Sequence, residues 1–277
     1  MVEMLDNEWL KFQESGCYEK KKKNIEIEDG GESPKCSDIY ISTQTKIAYF
    51  NQEINLQEVF WKLNVIDYYI PKNGIIKKSM KINSNSVEEV NQLEELIKIN
   101  NDMSYDIISR IDNPNARKVK FKDIRKLTSG VCKKDLISYR KKKKGAFYNC
   151  FALILRIKFN DIFKEVHVKV FNTGKLEIPG IQQDELLYYV FKELNKNLQP
   201  LLTKKLTVGL KNIETVLINS NFTCNFFIDR SKFYNKLKYK YDLHVLYDPC
   251  SYPGIQCKFY YNKNKEIQDG VCNCEKK

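Results

Sequence analysis

Histidine is almost missing from this chain: His167 and His244 are the two it has in 277 residues. A nucleophilic or acid–base site built on imidazole therefore has few parts to draw on. The motifs G-x-x-x-x-G-K-S/T, G-x-G-x-x-G, G-x-S-x-G and H-E-x-x-H do not occur, so neither an enzyme nor a bound cofactor is expected. There is no run of about 18 apolar residues of the kind a membrane-spanning helix needs. The N-terminal MVEMLDNEWLKF has neither the basic lead nor the apolar stretch of a secretory signal. These absences lead to the expectation of a soluble protein that is not secreted and has no membrane partner. Arginine is scarce as well, at six of 47 basic residues.

What is present is positive charge and apolar mass. A formal net charge of +12 attracts polyanions, because neutralising phosphates releases counterions. The same composition is rich in Lys, Asn, Ile and Tyr, so a solvated lysine exterior explains the charge equally well. With 42% hydrophobic and 12% aromatic residues, the chain can build a core. Its nine cysteines, without a secretory signal, read as reduced thiols. Cys272-x-Cys274 with Cys250 and Cys257 could offer zinc four thiolates, but the spacing is not a C-x-x-C pair, and no metal is expected.

Residues 1–37 are polar and charged and read as a mobile tail. IYISTQTKIAYF (39–50) reads as a strand and LQEVFWKL (56–63) as a helix. The polar stretch from about 72 to 115, with the helical stripe Val87, Val90, Leu93, Leu96 and Ile97, reads as an insertion. Arg140 to Lys144 is a run of five cations, either a solvated loop or a phosphate-contacting one. FYNCFALILRIKF (147–159), EVHVKVF (165–171) and KLEI (175–178) are three successive antiparallel strands. DELLYYVFKELNKNL then places Leu186, Leu187, Val190, Phe191, Leu194 and Leu198 on one helical stripe.

The order strand, polar turn, helix, extended segment recurs from Glu214 to Tyr247. Ile218 to Phe227 overlays Ile41 to Phe50 at an offset of 177, and Phe233 to Leu237 overlays Val59 to Leu63 at 174. Alternation along the second strand puts Phe222, Cys224 and Phe226 toward the helices and Asn219, Asn221, Thr223 and Asn225 on the opposite face. The result is an amide-rich open face, which an ordinary antiparallel sheet with one wet face also has.

Two segments carry a family resemblance. VHVKVFNTGKLEIPGIQQDE, through Phe171, Gly174, Lys175 and Gly180, and YDPCSYPGIQCKF, through Tyr247, Asp248, Pro249, Tyr252, Pro253 and Gly254, resemble the two signature segments of the TATA-binding-protein family, in the right repeat order. The similarity spans approximately 38–70 and 145–262. The insertion and the cysteine-rich end resemble the branch carried by large nucleocytoplasmic DNA viruses.

The resemblance implies an α+β saddle of two pseudo-symmetric repeats, with a curved antiparallel sheet and helices on its convex face. The first repeat would be 38–199 and the second 200–277, incomplete and either cut short or closed differently. In that family the sheet enters the minor groove and aromatics wedge between base steps. Phe171 and Tyr252 match wedges, core packing being the alternative for both. The partner of Phe171 falls near Phe147, Tyr148 or Phe151, Cys150 occupying the place in a strict alignment on Arg156. Asn219 matches the central asparagine that reads base acceptors, with Ser42 as its counterpart and Asn221 and Thr223 on the same face. Arg156 matches a phosphate-pairing position, and Lys169 shares the strand face of Phe171. The implied function is a transcription-initiation factor that binds and bends A·T-rich double-stranded DNA. Its further partners would be RNA polymerase and a B-type initiation factor, in the host nucleus or a cytoplasmic viral factory, or packaged in the virion. Glu177 on the presumed DNA face, Pro179 and Ser42 depart from the family pattern. They leave open a module of the same fold that binds protein and not DNA, and they remove any expectation of a conventional TATA element.

Overall fold

In the computed structural model the described residues are 34–100, 102–138, 148–209 and 212–272. The tail up to residue 33, the basic run from Arg140 to Lys144, Phe147 and Cys274 lie outside them. The chain divides into two units, Asp38–Phe222 and a second containing 34–37 with 223–272.

The first unit is α+β, built on one large, curved, antiparallel sheet. Its strands are β1 (Tyr40–Tyr49), β2 (Gly74–Ser84), β3 (Met103–Asp112), β4 (Phe121–Gly130), β5 (Cys150–Phe159), β6 (Ile162–Phe171), β7 (Lys175–Ile181) and β8 (Glu214–Asn221). Across the sheet they run β3-β4-β2-β5-β6-β7-β1-β8. Helices α1 (Leu56–Lys62), α2 (Val87–Ile99), α3 (Lys133–Ile137) and α4 (Glu185–Leu198) fill the connections.

Period-two alternation makes the core. Phe151, Leu153, Leu155, Ile157 and Phe159 on β5, and Val166, Val168 and Val170 on β6, are buried in one cluster with Leu176 and Ile178 of β7. That face is covered by α1 through Val59 and Phe60, by α2 through Leu93 and Ile97, and by the whole α4 stripe from Leu186 to Leu198. Local capping starts the helices where they start: Asn55 accepts from the Glu58 amide and Ser86 from the Glu89 amide, each at 3.2 Å. Among the described residues no helix is long and apolar enough to cross a membrane.

Three boundaries differ from expectation. Part of the stretch expected as an insertion is β2, which pairs with β4 on one side and β5 on the other, in mid-sheet. One of its polar residues, Lys78, points to the helix face. There its buried ammonium donates to the carbonyls of Phe60 and Leu63, each at 2.7 Å, at the C-terminus of α1. The second difference is β8, which belongs to the first unit's sheet and pairs antiparallel with β1. The third is its end at Asn221, where a strand was expected to run to Phe227. Asn225 has φ 61 and its side-chain amide donates to the Lys35 carbonyl, which breaks the extended run. Phe222 and Phe226 are accordingly exposed and do not face helices.

Gly174 and Gly180 sit where only glycine is at ease. Gly174 has φ +79, and a Cβ there would lie 2.4 Å from the Gln52 carbonyl oxygen. Gly180 has φ +81 in the irregularity of β7 opposite β1, and this bulge also accommodates Pro179 inside a sheet.

The second unit has α5 (Arg230–Asn235), a π-helical turn (Lys236–Lys240) and a hairpin of β9 (His244–Asp248) and β10 (Tyr252–Lys258). Val245 is its one buried apolar residue among those described.

Candidate nucleic-acid interface

The sheet face opposite α1, α2 and α4 is organised in cross-strand rows, because directly opposed residues of antiparallel strands share a face. One row runs Ser79, Ala152, Lys169, Glu177, Ile47, Glu214 across β2, β5, β6, β7, β1 and β8. A second row lies toward one end of the face: Cys150 opposes Phe171, and Lys175 opposes Tyr49. The Lys175 ammonium lies 5.9 Å from the Phe171 ring, and Lys81 of β2 lies 3.6 Å from the ring of Tyr148, so aromatic rings and cations alternate along this end. Toward the other end, Thr43 opposes Asn219.

The far end of the face is covered by the chain itself. Cys132, leading into α3, packs with Ile76, Ile154 and Tyr68 in a second small core. The Lys133 amide donates to the Glu165 carboxylate, and Lys77 pairs with Asp135 at 2.6 Å. Burial raises the Cys132 thiol above its usual range, and its hydrogen bond to Asp135 adds to the shift.

Phe171 is half-buried on the open face, away from the helices. Phe151 is corrected: it is fully buried in the helix-side core against Phe60, 6.3 Å between ring centroids. The residue opposite Phe171 is Cys150, itself 4% exposed, with its thiol pushed up by burial. Arg156 is corrected as well. It is 7% exposed, and its guanidinium donates to the carbonyls of Tyr68 at 2.5 Å, Lys72 at 3.1 Å and Ile70. It staples the 68–72 loop and has no group turned to a phosphate. Lys169 is on the open face, with its ammonium on the Glu177 carboxylate at 2.6 Å. Glu177 therefore stands where it was expected, neutralised by its neighbour.

Asn219 and Asn221 are on β8 and exposed. The Asn219 side-chain amide donates to the Thr43 hydroxyl at 2.8 Å. Ser42 donates its hydroxyl to the Asn219 backbone carbonyl at 3.1 Å, so Thr43, and not Ser42, shares a face with Asn219. The cause is a register shift between Ile41 and Thr43, which a fixed sequence offset does not reveal. Thr223 is not brought to this sheet: it lies in the second unit, where its backbone amide donates to the Ser37 hydroxyl oxygen and its own hydroxyl donates to the Asn225 side-chain carbonyl. Tyr252, also in the second unit, opens β10 at 63% exposure. Its ring lies over Gly254, where a Cβ would be 2.6 Å from Cε1.

No family model and no curated protein matches the chain. Its geometry therefore carries the functional argument. Cys36, Cys250, Cys257 and Cys272 are exposed thiols, and among the described residues no group of three or more metal-ligating side chains occurs. Tyr148, a candidate neighbour of Phe171, joins the face through Lys81. Tyr49, Thr43 and Lys81 join it without having been singled out as site residues, and strand alternation from Thr43 to Tyr49 was the available signal for the two on β1.

Proposed function

We propose that this protein is a DNA-binding transcription-initiation factor of the TATA-binding-protein type, which docks the open sheet face in the minor groove and bends A·T-rich duplex DNA. The observation that carries the reading is the junction of β1 and β8. These are the two copies of the repeated strand, and they lie side by side and antiparallel. Asn219, the repeat equivalent of Ser42, is paired one residue away from it, opposite Thr43. A strand paired with its own repeat at nearly equivalent residues is what a local two-fold axis between two pseudo-symmetric halves produces. Phe171, on an exposed strand end beside Lys175, is the wedge of the first unit and Tyr252 that of the second. The viral setting, the polymerase and B-type factor partners and a site of action in the nucleus or a viral factory belong to the same proposal.

The test is a fluorescence-resonance bending assay on A·T-rich duplexes at several salt concentrations. Bending by the wild type that falls on Phe171→Ala and Tyr252→Ala supports the wedge mechanism; unchanged bending removes it. A second reading is favoured by one observation: α3 and the 68–72 loop cover the far end of the face. In that reading the sheet binds protein alone. Retention of polymerase subunits after nuclease treatment, with no DNA shift at any salt concentration, would decide for it.

A further inference from the structure

The middle of the open face carries acceptors, and a minor groove made of A·T pairs carries acceptors too. Adenine N3 and thymine O2 are all that A·T and T·A offer there, whereas G·C adds one donor, the guanine N2 amino group. Glu177 lies on β7 between Lys169 and Ile47 in the central row, its side chain 28% exposed. Lys169 donates to Oε1 at 2.6 Å, and Oε2 has no hydrogen bond among the described residues. Across Ile47 in the same row is Glu214, exposed and with no ion pair among the described residues. Asn219 gives an amide hydrogen to Thr43, which leaves its Oδ1 as a further acceptor.

Pressed against an A·T pair, the Glu177 carboxylate meets N3 or O2 with no proton between them and loses water without compensation. Against a G·C pair, the N2 amino group donates to Oε2. Lys169 keeps the carboxylate from adding net negative charge beside the phosphates. We infer that Glu177 is a specificity-determining residue that reads a guanine N2 amino group, so that the preferred DNA site contains a G·C pair within its A·T-rich surroundings. This rests on the minor-groove reading proposed above.

The experiment uses the full chain and a series of 16-bp A·T duplexes in which a single G·C pair is moved one position at a time. Each duplex has a counterpart carrying inosine·C at the same place. Inosine keeps the major-groove edge of guanine and lacks only the N2 amino group, so a difference between the pair reports that group alone. The expected result is a position at which the G·C duplex binds about tenfold tighter than its inosine counterpart, the low end for one well-made base contact. Glu177→Val should abolish the difference, and Glu177→Gln, whose carbonyl oxygen still accepts, should keep part of it. Should Glu177→Val fail to fold by its circular-dichroism melt, the double variant Lys169→Met/Glu177→Val removes the ion pair whole and takes its place. Equal binding of guanine and inosine duplexes at every position overturns the inference while leaving the minor-groove reading intact. So does a guanine preference that survives Glu177→Val. Absence of binding to any duplex defeats both and is distinguished from these outcomes by the missing signal on the all-A·T duplex.

Discussion

Replacing Arg156 by Met separates two roles that a basic residue on this strand can have. Arg156 is 7% exposed; the methionine keeps its apolar stem and removes the guanidinium, which holds the carbonyls of Tyr68, Ile70 and Lys72. Each such bond contributes about 1 kcal/mol net, and more when the donor is charged, so three of them come to about 3 kcal/mol. For a unit the size of Asp38–Phe222 that is a fall in Tm of roughly 6–12 °C, at about 2–4 °C per kcal/mol. A phosphate contact predicts something else: little change in stability and a salt slope of DNA binding reduced by about 0.9. Thermal melts and fluorescence titrations across a salt series measure both quantities on one preparation. A Tm within about 2 °C of wild type together with a slope smaller by about one would refute the staple.

Further perturbations test the packing that shapes the first unit. Burial pushes the Lys78 ammonium down to about 8, so the unfolded chain binds more protons from there up to the ordinary lysine range. Stability should therefore rise with pH across that window; urea midpoints should show the rise, and Lys78→Met should remove it. Arg125→Met leaves Asp123, fully buried, without the guanidinium it contacts at 2.8 Å, a loss of about 3–5 kcal/mol by denaturant titration. Asp123→Leu/Arg125→Met, which removes both charges, should recover most of it. Gly174→Ala should cost about 2 kcal/mol or more, because positive φ is joined by the clash with Gln52. Gly180→Ala meets no atom within 4 Å and should cost only about 1 kcal/mol.

Elements with a strong apolar period were legible. The α4 stripe is buried as its spacing implies, and β5, β6 and β7 alternate as their residues do. β2 was not legible, since a lysine occupies a helix-facing position for the sake of carbonyls at the end of α1, a partner 15–18 residues away. The site was legible only in part. Phe171, Lys169 and Asn219 are on the face the alternation predicts. Phe151 and Arg156 were drawn to it by proximity along one strand, and the pleat puts Phe151 on the other side while the 68–72 loop takes up Arg156. Ser42 failed for a subtler reason: one residue of bulge in β1 exchanges it with Thr43.

The two proposed wedges, Phe171 and Tyr252, rest on supports of unequal strength, and their variants should differ accordingly. Phe171 ends a strand with ten consecutive pairings to β5, above a fully buried row of Val170, Phe151 and Leu176. Tyr252 begins a two-stranded hairpin in a unit whose one buried apolar residue among those described is Val245. One buried valine contributes roughly 1.5–3 kcal/mol, and an isolated hairpin is marginal in water, so the geometry of Tyr252 is weakly fixed before DNA arrives. Ordering it on binding consumes part of its contact energy. Phe171→Ala should therefore reduce both affinity and bend angle strongly, whereas Tyr252→Ala should reduce the bend angle with a smaller loss of affinity. The two variants measured on one A·T-rich duplex decide the matter, and a larger affinity loss for Tyr252→Ala would show that the second unit is held more firmly than its packing implies.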